Sequence, residues 1–188
     1  MILDLFKLDG RVALVTGGRR GLGRAIARGL AQAGADVACV SRTGGADETR
    51  SLVEAAGRRF LDLEVDLAEP ARREGLVDRV VAELGRVDIL VNNAGSGKRH
   101  APEDYALAEW RELVEVHLVA SFDLAQQAAH GMLERGRGKI IAVAAGTILG
   151  ACAGAEIGRS LDRADRAALA NAQVRAHACA NVPLRWTR

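Results

Sequence analysis

Aromatic residues make up only 3% of the 188-residue chain, and they include a single tyrosine, Tyr105. Chemistry that needs a tyrosine therefore has one candidate. Lysine is scarcer still relative to arginine, 3 against 23, and the charges are interspersed around a net +2. No basic stripe of the kind that tracks a nucleic-acid backbone is present, and the arginine excess reads as GC-rich coding. Cys39, Cys152 and Cys179 are far apart and odd in number, which argues against a disulfide framework or a C-x-x-C metal site and fits a reducing cytoplasm. Long apolar runs are also missing. The longest uncharged stretch, Ile140 to Ala155, holds 16 residues with Gly146, Gly150 and Gly154 in GxxxG spacing. It falls short of the roughly 20 residues that a bilayer core requires. Met1 to Gly10 carries Asp4, Lys7 and Asp9, unlike a signal peptide. No metal, nucleic-acid partner or membrane partner is expected, and the location expected is cytoplasmic.

What is present is a chain 49% apolar and 27% charged, enough for one α/β-sized domain with a real core and too short for two full ones. From Arg11 short β-type runs alternate with longer helical patterns, the signature of βαβ units on a parallel sheet. Strands are expected at Val12–Val15, Val37–Val40, Phe60–Val65, Val87–Val91 and Lys139–Val143. Helices are expected at Gly21–Ala33, with Leu22, Ala25, Ile26, Gly29 and Leu30 on one face, at Asp47–Ala56, from Pro70 to about Leu84, and from near Glu103 to about Arg135. Both faces of the last strand are apolar, as expected where helices cover each side. The fold class is thus a Rossmann-like, doubly wound parallel α/β sheet of five strands in spatial order 3-2-1-4-5. Residues 1–150 form the expected dinucleotide-binding domain. Residues 151–188 form an atypical Ala/Arg-rich tail, helical on propensity, in which only six residues are Val, Ile, Leu or Phe.

The first strand runs straight into Thr16-Gly17-Gly18-Arg19-Arg20-Gly21-Leu22-Gly23 and then a helix. Glycines at such a turn let the backbone approach a pyrophosphate, whose charge meets amides at the positive helix end. The alternative is a tight loop with no ligand. The third strand ends in Asp66-Leu67 and the fourth in Asn92-Asn93-Ala94-Gly95, both at carboxyl ends, where open α/β sheets bind ligands.

Together TGxxxGxG, the Asp after the third strand and NNAG resemble the short-chain dehydrogenase/reductase family over about residues 5–150. The opening MILDLFKLDGRVALVTGG, GLAQAGADV, GRRFLDLEVDL and GKII look most like its sugar-acid dehydrogenases, among them the 2-deoxy-D-gluconate 3-dehydrogenases. The resemblance implies a nicotinamide dinucleotide, with Gly17, Gly21 and Leu22 lining the pyrophosphate and Asp66 and Leu67 the adenine. Asn93, Ala94 and Gly95 would line the adenosine ribose and the way to the nicotinamide. An acid ending the second strand would bind the 2′-hydroxyl of NAD, but here that strand ends in Ser41 and Arg42, with Arg19 and Arg20 in the facing loop. Guanidinium groups there suit a 2′-phosphate, so NADP is favoured over NAD. The same arginines can also be read as solvated loop charges.

The family reduces or oxidises a carbonyl/alcohol pair with Tyr-x-x-x-Lys, Ser and Asn. Alignment of VEVHLVASF puts His117 at the Asn position, either holding a water or packed as a buried helix histidine. Alignment of GKIIAVAAG puts Ala145 at the Ser position. The Tyr would fall near Ala155 to Leu161, and no Tyr-x-x-x-Lys occurs in the 188 residues. Arg159 and Arg163 share the spacing, but guanidinium does not release a proton near neutral pH. Ser160 and Asp162 have no histidine partner in sequence context.

The chain is thus expected to resemble an NAD(P)-dependent oxidoreductase acting on a carbonyl or secondary alcohol, a sugar acid being the candidate small-molecule substrate, with weak or no activity. The alternative is a catalytically silent dinucleotide-binding or partner-binding module. Without a later strand pattern, Lys139–Val143 is expected at the sheet edge unless the tail helix or another chain covers it. A homo-oligomer fits the resemblance, but the family's tetramer is not expected to carry over. The abrupt loss of pattern after Gly150 raises the hypothesis of a shifted reading frame or a divergent remnant, tested by translating the other frames.

Overall fold

The computed structural model describes residues 6–95 and 102–143. These fall in the first of two units, Met1–Ile148 and Leu149–Arg188. Five strands, β1 (Val12–Thr16), β2 (Asp36–Ser41), β3 (Phe60–Glu64), β4 (Ile89–Asn92) and β5 (Lys139–Ala142), form one sheet. Their order is β3-β2-β1-β4-β5 and every pairing is parallel, with Leu14 beside Ala38 on one side and Leu90 on the other. The order changes direction at β1, so the carboxyl ends of β1 and β4 flank a crevice.

β1 is buried along its whole length, because alternate residues feed two cores. Leu14 joins Val40, Leu63, Leu76, Val80, Leu90 and Leu124 on one face. Ala13 and Val15 join Val37, Cys39, Val91, Ala27 and Ala31 on the other. Fully burying a leucine or valine contributes about 2 kcal/mol, so these two layers carry most of what holds the sheet.

The helices are α1 (Gly21–Gln32), α2 (Asp47–Glu54), α3 (Pro70–Arg73), α4 (Leu76–Leu84), α5 (Leu107–Val114) and α6 (Ala120–Glu134), with a π-helical stretch at Glu115–Val119 joining the last two. Three expectations are corrected. The buried face of α1 is Gly23, Ala27 and Ala31, not the larger apolar set beginning at Leu22, which is 60% exposed. Small residues let this helix sit close to the sheet, and bulk is placed at its flanks, where Ile26 and Leu30 are partly buried. The helix expected from Pro70 to Leu84 is two helices, because Gly75 adopts a left-handed φ of 65° between them. The long central helix begins at Leu107, preceded by a 3₁₀ turn at 102–104, and is interrupted by the π stretch.

Among the described residues β5 is the outermost strand, and the covered-on-both-faces expectation fails: Ile140 and Ile141 are 44% and 47% exposed. The uncharged run Ile140–Ala155 therefore starts inside a strand, and its continuation from residue 144 lies outside the described residues. No helix among the described residues is long and apolar enough to cross a membrane. Ala145, Arg159, Ser160, Asp162, Arg163, Cys152, Cys179 and the tail at 151–188 also lie outside the described residues.

Candidate functional site

Thr16, the last residue of β1, links two strand ends. Its hydroxyl donates to the Val91 carbonyl (3.4 Å) and accepts from the backbone N–H of Asn93 (3.0 Å) and Ala94 (2.9 Å). The Asn93 amide in turn donates to the Thr16 and Gly17 carbonyls. The two turns are so close that a Cβ on Gly17, whose φ is 69°, would lie 3.0 Å from both Ala94 Cα and Asn93 Nδ2. A Cβ on Gly23 would lie 2.2 Å from the Gly17 carbonyl oxygen. Gly17 and Gly23 are thus hemmed in by backbone and by the Asn93 amide, whereas a Cβ on Gly21 would meet nothing within 4 Å and glycine is favoured there by a φ of 56°.

The ends of β1, β2, β3 and β4 open onto one cavity of about 820 Å³. All twelve residues that the sequence places around a dinucleotide line it: Gly17, Arg19, Arg20, Gly21, Leu22, Ser41, Arg42, Asp66, Leu67, Asn93, Ala94 and Gly95. His117 is not among the lining residues. It is buried in the π stretch under the β4 turn, and a Cβ on Gly95 would lie 2.5 Å from its Cε1.

At the end of β3, the Asp66 carboxylate accepts from the Ala68 N–H (2.9 Å), and the Leu67 carbonyl accepts from Arg73. Arg73, with a side chain 3% exposed, also pairs with Glu115 (2.7 Å) and Asp123 (3.0 Å). One guanidinium therefore joins the end of β3 to the central helix. On the opposite side, Arg19 Nη1 donates to Thr43 Oγ1 (2.6 Å) and to the Gly44 carbonyl (3.1 Å), spanning from the glycine turn to the loop after β2. Ser41 Oγ is buried with no hydrogen-bond partner among the described residues.

Sequence reasoning missed the fourth wall. Glu109, Glu112, Leu113 and Val116 line the cavity, as does Tyr105, whose ring meets Trp110 edge-on at 6.2 Å. The i, i+3, i+4, i+7 spacing of those helix residues was a usable signal. Beneath the glycine turn, burial pushes the Cys39 thiol up to about 12, and the neighbouring Asp62 carboxylate adds to the shift. Such a thiol is inert. No group of three or more metal-ligating side chains occurs among the described residues.

Comparison with known proteins agrees with this geometry. The family described as short chain dehydrogenase matches residues 11–156. The chain is 41% identical over 145 residues to the 2-dehydro-3-deoxy-D-gluconate 5-dehydrogenase of Dickeya dadantii (strain 3937), covering 77% of this chain and 57% of that protein. It therefore spans little more than half the length of that curated relative. Among solved structures, a metagenomic short-chain oxidoreductase in complex with NADP is 37% identical, with a TM-score of 0.67 over 71% of this chain and 61% of that one. A short chain dehydrogenase from Mycobacterium paratuberculosis bound to NAD is 36% identical, with a TM-score of 0.66 over 71% and 55% of the two chains.

Proposed function

Because this chain belongs to the short-chain dehydrogenase family, we propose that it binds a nicotinamide dinucleotide in the cavity at the carboxyl ends of β1 to β4. The observation that carries this reading is the convergence of the 16–23, 66–67 and 93–95 segments on one cavity. Its volume is in the range of small-molecule and cofactor sites, about 300–1,000 Å³. Gly17, Gly21 and Leu22 hold the pyrophosphate, Asp66 and Leu67 the adenine, and Asn93, Ala94 and Gly95 the adenosine ribose and the path toward the nicotinamide. Close contacts at Gly17 and Gly23 and the positive φ of Gly21 favour glycine at these positions, which leaves the backbone bare for that approach.

NADP is the preferred form. No carboxylate ends β2, where Ser41 and Arg42 stand with Arg20 across the cavity, and a 2′-phosphate would satisfy both the guanidinium groups and the buried Ser41 hydroxyl. Arg19 contributes chiefly by holding Thr43 and Gly44. Solved relatives hold either NADP or NAD, so the preference rests on these side chains. On this reading residues 1–150 are the dinucleotide-binding part of the chain.

When bound, the dinucleotide supplies a hydride to a carbonyl or takes one from an alcohol. The name of the Dickeya relative points to a sugar acid as the substrate class. The protein must also move a proton, and the 188 residues hold no tyrosine four positions before a lysine. On this reading the chain carries the cofactor-binding residues without the family's Tyr-x-x-x-Lys pair among its 188 residues, and it holds cofactor with little or no turnover. Following NADPH oxidation at 340 nm with a panel of keto-sugar acids tests this. Absorbance that stays flat while NADPH binds supports the reading; turnover at ordinary enzymatic rates overturns it.

A further inference from the structure

Thr49 lies on α2, outside every segment that lines the cavity, yet it is fully buried against the back of the glycine turn. Its hydroxyl donates to the Gly18 carbonyl at 2.9 Å and reaches the Arg19 carbonyl at 3.2 Å. Arg24 Nε donates to the same Arg19 carbonyl at 3.3 Å, and Arg24 also pairs with Glu48, next to Thr49. The turn has no slack on this side, because a Cβ on Gly18 would lie 2.3 Å from Cys39 Sγ.

In a trans peptide the carbonyl and the following N–H point in opposite directions. Drawing the Gly18 and Arg19 carbonyls toward α2 therefore turns the N–H groups of Arg19 and Arg20 away from it. Among the described residues neither N–H has a protein acceptor, and both residues line the cavity. Two donors held this way form a concavity that attracts an anion. We infer that Thr49 is a positioning residue for the pyrophosphate or 2′-phosphate of the dinucleotide, acting through the two carbonyls it restrains. This rests on the dinucleotide reading of the cavity and adds to it a residue from outside the motif.

The test is an NADPH titration of the 188-residue chain, followed by nicotinamide fluorescence, with parallel thermal melts by circular dichroism. Thr49→Val keeps the shape and removes the donor, so its dissociation constant is expected to rise about tenfold, the order that follows from losing one buried hydrogen bond. Thr49→Ser restores the hydroxyl and is expected to bind within about twofold of the parent. Inorganic pyrophosphate as competitor should lose potency against Thr49→Val in the same proportion if the pyrophosphate is the group held, and NADH binding should stay parent-like if it is the 2′-phosphate; a Thr49→Val variant that shows neither selective effect overturns the inference. If Thr49→Val does not fold, Thr49→Ala removes the same donor and carries the same expectation. Parent-like binding by a folded Thr49→Val, or equal weakening by Val and Ser, overturns the inference while leaving the dinucleotide reading intact. A parent chain that binds neither NADPH nor NADH overturns both.

Discussion

Gly95 sits so close over His117 that a single methyl group on its α-carbon would come within 2.5 Å of the imidazole Cε1. The turn after β4 and the π stretch of the central helix are thus packed through one glycine and one ring. Gly95→Ala is expected to destabilise the fold by about 1–3 kcal/mol, the usual cost of overpacking. His117→Ala should relieve most of that in the double variant. Urea denaturation of the two single variants and the pair measures the coupling, and additive effects would contradict the contact.

Gly23→Ala places its new Cβ 2.2 Å from the Gly17 carbonyl oxygen and 2.5 Å from Asn93 Nδ2. The glycine turn must shift, so dinucleotide binding should fall below detection even where the circular dichroism spectrum is retained. Gly29→Ala is the control, because a Cβ there meets nothing within 4 Å; it should bind normally.

Arg73 joins the end of β3 to the central helix through Leu67, Glu115 and Asp123. Arg73→Met leaves two carboxylates without their buried cation and the Leu67 carbonyl without its donor. A loss of about 3 kcal/mol in urea is expected, because removing one partner of a buried pair strands the other. Removing Glu115 alone should cost much less, since its side chain is partly exposed and Asp123 remains.

Cys39 gives a pH dependence with a definite sign. Its thiol is pushed up to about 12 by burial and by Asp62, whereas in the unfolded chain it titrates near 8.5. The folded state keeps the proton that the unfolded state gives up, so this contribution is full below about pH 8.5 and declines between there and 12. Stability should fall by up to about 1.4 kcal/mol per pH unit above 9 relative to a Cys39→Ala variant. Denaturation series at pH 8, 9 and 10 check it, and parallel curves for the two proteins would contradict it.

Much of this was legible in the sequence, for reasons that differ by element. Strand positions showed through because apolar runs such as Val12–Val15 are buried on both faces, and Gly17, Asp66 and Asn93 because turns at strand ends cluster wherever a parallel sheet changes direction. The face of α1 was misread because bulk was taken as burial, while close approach to the sheet selects Gly23, Ala27 and Ala31. The break at Gly75 was hidden because a glycine inside a helical pattern is also tolerated without one. Thr49 and Arg73 act over 31 and 6 to 50 positions, and no local pattern reports partners that far away. The π stretch at Glu115–Val119 carries no breaker residue at all.

The central claim, that the cavity at the carboxyl ends of β1 to β4 holds a nicotinamide dinucleotide with the 2′-phosphate recognised by Arg20 and Arg42, is tested most directly by equilibrium titration of the 188-residue chain with NADPH and NADH. Saturable binding of both, several-fold tighter for NADPH, with the difference abolished by Arg42→Ala, is the result expected. Absence of binding by either nucleotide to the folded chain would contradict the account.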